Sequence, residues 1–257
     1  MDFLNMSCKE IEKYISSVEG NARFSLINIL QQDTRKSVNK LALKLKKEEA
    51  RANEEIERLN KLWEIEKNYF DLGYNLVAGL DEAGRGPLAG PIVAAAVILP
   101  KEELIIGVND SKKLSEKKRD ELYKKIQDTA LAIGVGIVDN RKIDEINIFN
   151  ATKLAMKRAI NSLKIKPEFL LIDALDITDI NIEQESIVKG DSRSISIASA
   201  SIIAKVTRDN MLKSYDKEYP QYNFSKHKGY GTKEHYEAIK KHGITPLHRK
   251  SFLKNIK

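Results

Sequence analysis

The 257-residue chain carries 44 Lys/Arg against 37 Asp/Glu, a formal net charge of +7, with 42% hydrophobic and 32% charged residues. That balance excludes wholesale disorder and leaves enough apolar sequence for a sizeable core. The single cysteine, Cys8, excludes an intrachain disulfide and suits a reducing compartment. No apolar run reaches the eighteen or so residues that span a bilayer, and the opening MDFLNMSCKEIEKY is not signal-like. The expectation is a cytoplasmic protein without membrane association.

Residues 1–72 contain one glycine and no proline and follow a helical rhythm. Ser7 can cap a short helix with Ile11, Tyr14 and Ile15 on its apolar side, closed by Gly20 after Val18. Asp33 or Thr34 can start a long helix in which Val38, Leu45, Ala52 and Leu59 recur every seventh residue. Ala42, Ile56 and Trp63 follow four residues behind members of that row, and Glu49 interrupts the pattern. The segment reads as a helical extension that packs on itself or on the main domain. Arg35, Lys36, Lys40, Lys44, Lys46 and Lys47, with no acid among them, also make it a possible aid to substrate binding.

From residue 73 the pattern becomes short β-like runs separated by helical stretches. The expected strands are 76-LVAGLD-81, 91-PIVAAAVIL-99, 132-AIGVGIV-138, 169-FLLID-173 and 185-ESIVKG-190. Helices are expected near 115–130, 147–164 and 193–218. The tight Gly/Pro turn between the first two runs makes them antiparallel neighbours, and later alternation of strands and helices favours a mixed sheet flanked by helices. Residues 73–257 thus form the expected main domain, ending in a basic helical segment, 215–257. From residue 205 onward there are 13 Lys/Arg against 5 Asp/Glu, so the charge excess sits at the C-terminal end. Such an asymmetry points to a polyanion as partner.

Asp81 and Asp173 end apolar runs, and Asp191 directly follows a third. At corresponding strand ends the three carboxylates can converge on one edge of the sheet. Glu82 points to the opposite face from Asp81 unless the chain turns, which Ala83-Gly84 permits. Converging carboxylates raise one another's pKa unless cations neutralise them, and hard oxygen ligands suit Mg²⁺ or Mn²⁺. Two divalent ions would balance the four acids and could clamp a phosphodiester. Each acid alone also suits a turn or a helix cap. In 84-GRGPLAGP-91 the glycines around Arg85 leave the backbone open to close approach, and a backbone contact can test for a ribose 2′-hydroxyl; a structural turn explains the same glycines.

The series 78-AGLDEAGRGPLAGPIVAAAVIL-99, 110-DSKKLS-115, 146-INIFNATKLAMKRA-159, 170-LLIDA-174, 189-KGDSRSISIASASIIAKVTRD-209 and 227-HKGYGTKEH-235 resembles ribonuclease HII, the type 2 ribonuclease H family, over roughly residues 73–250. The resemblance implies a ribonuclease H-like fold. It also implies endonucleolytic cleavage of RNA in RNA/DNA hybrids and at single ribonucleotides within duplex DNA, leaving 3′-hydroxyl and 5′-phosphate ends. It makes Asp81, Glu82, Asp173 and Asp191 the catalytic set, with Asp81, Glu82 and Asp173 as metal ligands for two Mg²⁺ or Mn²⁺ ions. Gly84, Arg85 and Gly86 match a motif that contacts the ribonucleotide at the RNA-to-DNA junction. Tyr230 matches a tyrosine that stacks on the neighbouring deoxyribose, and Lys112 and Lys113 fall in a segment that can bind phosphate. Arg85 sets the chain apart from the sibling type 3 family, which typically has lysine there. A monomer is the expectation.

Two other chemistries are weak. His227, His235, His242 and His248 lie eight, seven and six residues apart, unlike a helical metal pair. The serines of 192-SRSISIASAS-201 lack a nucleophile elbow and read as small residues that let a helix lie close to the sheet. The competing readings of function are a non-catalytic binder of RNA/DNA hybrids and a metal nuclease that cuts DNA alone.

Overall fold

The structure, a computed structural model, describes residues 3–253; residues 1–2 of the expected N-terminal extension and 254–257 of the expected basic segment lie outside it. It divides into two compact units, one running to Leu59 and the other beginning at Asn60. The sequence expectation places this division near residue 72, where the composition changes.

In the first unit, helix α1 (Cys8–Ser17) starts in a capping box: Glu10 N–H donates to Ser7 Oγ, and Ser7 N–H donates to the Glu10 carboxylate at 2.7 Å. Gly20, at φ 61°, leads into a 3₁₀ stretch and then α2 (Ile27–Gln31). Neither is legible as a periodic pattern, because five to seven residues give the apolar spacing too few repeats. Helix α3 follows (Lys36–Leu62). Ile11, Ile15, Leu30, Val38, Ala42 and Leu45 form the core of this unit, so the first half of the seven-residue stripe is a packing face. Arg35 is absorbed structurally: it pairs with Asp33 at 2.6 Å and donates to the carbonyls of Met6 and Phe3. The exposed cations of the α3 face include Lys36, Lys40, Lys44, Lys46, Lys47 and Arg51.

The second unit contains α4 (Glu64–Asp71), β1 (Val77–Ala83), β2 (Ile92–Ile98), α5 (Glu116–Thr129), β3 (Ala132–Val138), α6 (Asn140–Asn161), β4 (Phe169–Asp173), β5 (Glu183–Ile187), α7 (Ile195–Glu218), α8 (Phe224–His227) and α9 (Lys233–His242). Among the described residues the strands form one sheet in the order β3-β2-β1-β4-β5. β2 pairs antiparallel with β1 and β3, whereas β1–β4 and β4–β5 are parallel. This is the mixed sheet the alternation implies. Strand β5 starts two residues earlier than expected, and it stops earlier because Lys189 adopts a left-handed conformation (φ 57°), ending the extended run. Helix α6 starts at Asn140 behind the Asp139 cap, then breaks at Asn147 (φ 65°), whose side chain caps the next turn through Asn150 N–H. The expected start near 147 is therefore the start of its second segment.

Small residues let helices lie close on both faces of the sheet. Ala94 and Ala96 of β2 meet Ala151, Ala155 and Ala159 of α6 in one core. On the opposite face, a Cβ on Gly79 would fall 2.1 Å from the Ser196 carbonyl carbon, so the first turn of α7 rests directly on β1. Every residue of α7 from Ile195 to Ala204 is buried, which accounts for its serines and alanines.

The C-terminal segment encloses three buried histidines. His248 Nδ1 accepts from Thr245 N–H (2.9 Å), so its Nε2–H faces His235 Nε2 at 3.1 Å, while His235 Nδ1–H donates to the Tyr230 carbonyl at 2.9 Å. His227 stacks on His235 with centroids 4.3 Å apart and joins the Tyr222 carbonyl to Gly229 N–H. The donor pattern is complete with neutral imidazoles, and burial holds His235 and His248 down to about 4.

Gly79→Ala should cost about 3 kcal/mol through overpacking against α7, seen as a fall of roughly 6–12 °C in Tm. The histidines set a pH dependence of the same sign as that of paired carboxylates, shifted to a higher pH window. With folded values below the unfolded value of about 6.5, their contribution is complete above that pH and is lost as pH falls toward about 4. Urea midpoints should therefore drop between about pH 7 and 4.5; a flat profile would contradict the neutral network.

Candidate active site

Asp81 and Asp173 stand side by side because β1 and β4 are parallel neighbours with Leu80 opposite Ile172, one residue before each aspartate. By strand alternation both point to the face that α7 covers. Asp191 reaches them from the short 3₁₀ turn Gly190–Ser192 that leads into α7. Gly190 N–H donates to Asp173 Oδ1 at 2.8 Å and ties this turn to β4. Oxygens of Asp81, Asp173 and Asp191 lie within 4.8 Å of one another.

Glu82 is outside that trio. Strand β1 continues through Ala83, paired with Val93, and the turn comes only at Gly84 (φ 104°). Glu82 therefore leaves β1 on the other side, with Arg85 Nη1 at 3.7 Å, yet its charge still acts on Asp81.

Electrostatics make this a site that favours cations. Burial pushes Asp81 well above the usual carboxylate range, and the charges of Glu82 and Asp173 add to the effect. Burial also raises Glu82 against the pull of Arg85. Asp191 is raised by burial and by Asp110 and Asp173, with Lys112 and Lys113 opposing. Burial works against the charged form of Lys112, but the charges of Asp81, Asp191, Asp110 and Asp173 together raise its pKa. Its ammonium sits 3.8 Å from Asp191 on a largely exposed side chain, too loosely held to neutralise three acids. An all-oxygen donor set of this density fits hard divalent cations such as Mg²⁺ or Mn²⁺.

Beside the trio a cavity of about 290 Å³ is lined by Glu82, Gly84, Arg85, Gly86, Ser111, Lys112, Ser201, Lys205 and Tyr230, among others. Most of the binding residues expected from sequence thus share one surface. Tyr230 is half exposed, and its ring lies 3.6 Å from where a Cβ on Gly86 would stand. Lys113 is not part of the lining; it is exposed in the adjoining turn Ser111–Lys113.

The shape of the 84–91 loop depends on two arginines that sequence reasoning missed. Arg249 is fully buried and donates to the carbonyls of Gly84, Arg85, Gly90 and Pro91 at 2.7–3.2 Å. Arg208 donates to those of Pro91, Ala89 and Lys228. Burial, with Arg208 nearby, lowers Arg249 to about 9, so it remains charged at neutral pH. A Cβ on Gly84 would lie 2.3 Å from Arg208 Nε, and its φ is positive as well, so glycine is required there twice over. Ser201 and Ser111 were missed too; the Ser201 hydroxyl donates to that of Ser111 at 2.7 Å. Lys205, paired with Asp209 at 2.8 Å, brings a half-buried ammonium to the same cavity.

Comparison with known proteins agrees with this geometry. The family profile "Ribonuclease HII" matches residues 78–255, and "Ribonuclease HII N-terminal domain" matches residues 7–70. The ribonuclease HII of Clostridioides difficile is 57% identical over 97% of this chain and 98% of its own length. That of Acetivibrio thermocellus is 53% identical over 98% of both chains. The crystal structure of ribonuclease H2 from Pyrococcus horikoshii superposes with a TM-score of 0.59 at 29% identity, covering 68% of this chain and 93% of that one.

Proposed function

The chain belongs to the ribonuclease HII family of metal-dependent endoribonucleases, which hydrolyse phosphodiester bonds, and we propose that it nicks duplex DNA on the 5′ side of single embedded ribonucleotides and cleaves the RNA strand of RNA/DNA hybrids. The products carry 3′-hydroxyl and 5′-phosphate ends, and the cellular task is removal of misincorporated ribonucleotides from DNA. The observation that carries this reading is the convergence of Asp81, Asp173 and Asp191 beside the cavity that Gly84, Arg85, Gly86 and Tyr230 line.

Asp81, Asp173 and Asp191 hold the cations, with Glu82 at the edge of the set. Bound there, two Mg²⁺ or Mn²⁺ ions supply Lewis acidity and charge neutralisation to the phosphodiester. The backbone of Gly84–Gly86, held in shape by Arg249 and Arg208, presents its polar groups to the ribose 2′-hydroxyl. Tyr230 offers its exposed ring to the next sugar, where a 2′-hydroxyl would be in the way. Arg85, Lys112 and Lys113 meet phosphates and set the register of the strand. Among the described residues no helix is long and apolar enough to cross a membrane; we place the protein in the cytoplasm as a monomer. In the first unit Lys40, Lys44, Lys47 and Arg51 line a groove of about 390 Å³. Its charge suits the backbone of the same duplex, making this unit an aid to substrate binding.

A duplex carrying one ribonucleotide, incubated with Mn²⁺, should be nicked 5′ to it, while the all-DNA duplex stays intact and chelator abolishes the reaction. Asp173→Asn should lose about 10³-fold or more in kcat while keeping duplex affinity; near-normal turnover would sink the assignment. Replacing Lys40, Lys44 and Lys47 together by Gln should weaken duplex binding at low salt and flatten the salt dependence of the affinity by up to about 3 in log–log slope. An unchanged slope would leave the first unit a packing appendage.

A further inference from the structure

Glu66 is fully buried on α4, within the stretch that matches the N-terminal family profile, yet its contacts belong to the active-site framework. Its Oε1 accepts from Ser194 Oγ at 2.6 Å and from Ser196 N–H at 2.9 Å, the donors at the start of α7. Ser194 is the N-cap of α7 and also receives Ile197 N–H. Its own N–H donates to the Gly190 carbonyl at 2.9 Å, and Gly190 N–H donates to Asp173 Oδ1 at 2.8 Å. An unbroken path of hydrogen bonds therefore runs from Glu66 through Ser194 and Gly190 to Asp173, along the backbone that carries Asp191.

That backbone has little rigidity of its own. Asp191 sits on a single three-residue 3₁₀ turn behind left-handed Lys189. A Cβ on Gly190 would come within 2.5 Å of Ile197 Cδ1, so the turn lies directly against the first turn of α7. Glu66 accepts two of the donors at the start of α7, and α4 is itself held in place. Tyr69 stacks on Phe169 of β4 with centroids 3.9 Å apart and bonds Glu185 of β5. Just before α4, Trp63 Nε1–H donates to the Glu103 carbonyl at 2.8 Å. Stability alone accounts poorly for the choice of residue: Glu66 Oε2 has no partner among the described residues, a costly arrangement for a buried carboxylate.

We propose that Glu66 is a positioning residue for the cation site, fixing the first turn of α7 so that Asp191 is held against Asp173. The inference rests on Asp191 being a cation ligand, as proposed above. Glu66 touches neither substrate nor cation and acts only through Ser194, Ser196 and the turn between Gly190 and Ser192. The helix that carries it is thereby part of the catalytic machinery's frame, although its sequence reads as the end of the extension.

The test uses the full chain and a duplex with one embedded ribonucleotide. Glu66→Ala should lower kcat about tenfold, leave KM for the duplex within about twofold, and weaken Mn²⁺ binding about tenfold by titration calorimetry without substrate. Amide exchange at Ser196 should speed up. Glu66→Gln, which keeps the carbonyl acceptor, should restore most of both activity and Mn²⁺ affinity. In an Asp191→Asn background the alanine change should add no further loss, because the group it positions is already gone. An equal proportional loss in both backgrounds, or unchanged Mn²⁺ affinity in Glu66→Ala, overturns the proposal while leaving the cation site intact. If Glu66→Ala does not fold, Ser194→Ala takes its place in the same cycle: a loss confined to the Asp191 background supports the proposal, and an equal loss in both overturns it. Full activity in Asp191→Asn alone would overturn the assignment of that ligand, and this proposal with it.

Discussion

Mutual repulsion of buried carboxylates is the constraint around which the second unit is arranged. The register of β1 and β4 sets Asp81 beside Asp173, and the turn before α7 adds Asp191 to the same space. Desolvation and like charge both raise the cost of ionising these groups, so the arrangement persists only because the surrounding structure enforces it. The enforcement is visible on every side: the pairing of β1 with two neighbours, the close seat of α7 on Gly79, and the Gly190 amide bound to Asp173. A chain selected for stability alone would not assemble these charges, and this links the energetic oddity to metal-dependent hydrolysis.

Positive charge is handled by a different device. Arg208 and Arg249 are buried, and neither forms an ion pair among the described residues. Their guanidinium groups are satisfied by backbone carbonyls of the 84–91 loop and of Lys228. Carbonyl dipoles solvate the charge, and the fixed fork of donors in turn fixes the loop. Since those carbonyls are turned inward to the arginines, the loop's conformation is decided from beneath, before any substrate arrives. The histidine network acts likewise on the segment bearing Tyr230, whose carbonyl receives the His235 N–H. Two polar networks thus bring the glycine loop and the tyrosine to one cavity while Arg85, Gly86 and Tyr230 remain open to solvent.

Much of this is legible in the residues themselves. Apolar runs mark the strands because β1, β2 and β4 are buried on both faces, and acids at the ends of such runs are conspicuous. Strand β5 is harder to place: its exposed edge sequence EQESI carries little apolar signal. Composition puts the division into units at residue 72, yet α4 packs with the second unit, as the contacts of Glu66 and Tyr69 show. A helix-rich composition continues through α3 and α4 whichever core each one joins, so composition cannot mark that boundary. Arg35 reads as one more cation of a basic face, but Asp33 two residues earlier turns it inward.

What the sequence determined alone was local or repetitive: the cap at Ser7, the strand-and-helix alternation, the identity of the acids and the ordered motifs that mark the family. These depend on neighbours in the chain and can be read from spacing. Tertiary structure decided the rest, because it required contacts between residues far apart in the chain. Only the fold shows that Glu82 stands aside from the three aspartates, that Arg249 shapes the glycine loop, and that Glu66 reaches the first turn of α7. A charged side chain in a sequence reads by default as a solvated one; it is the buried partner, chosen by folding, that gives it a task.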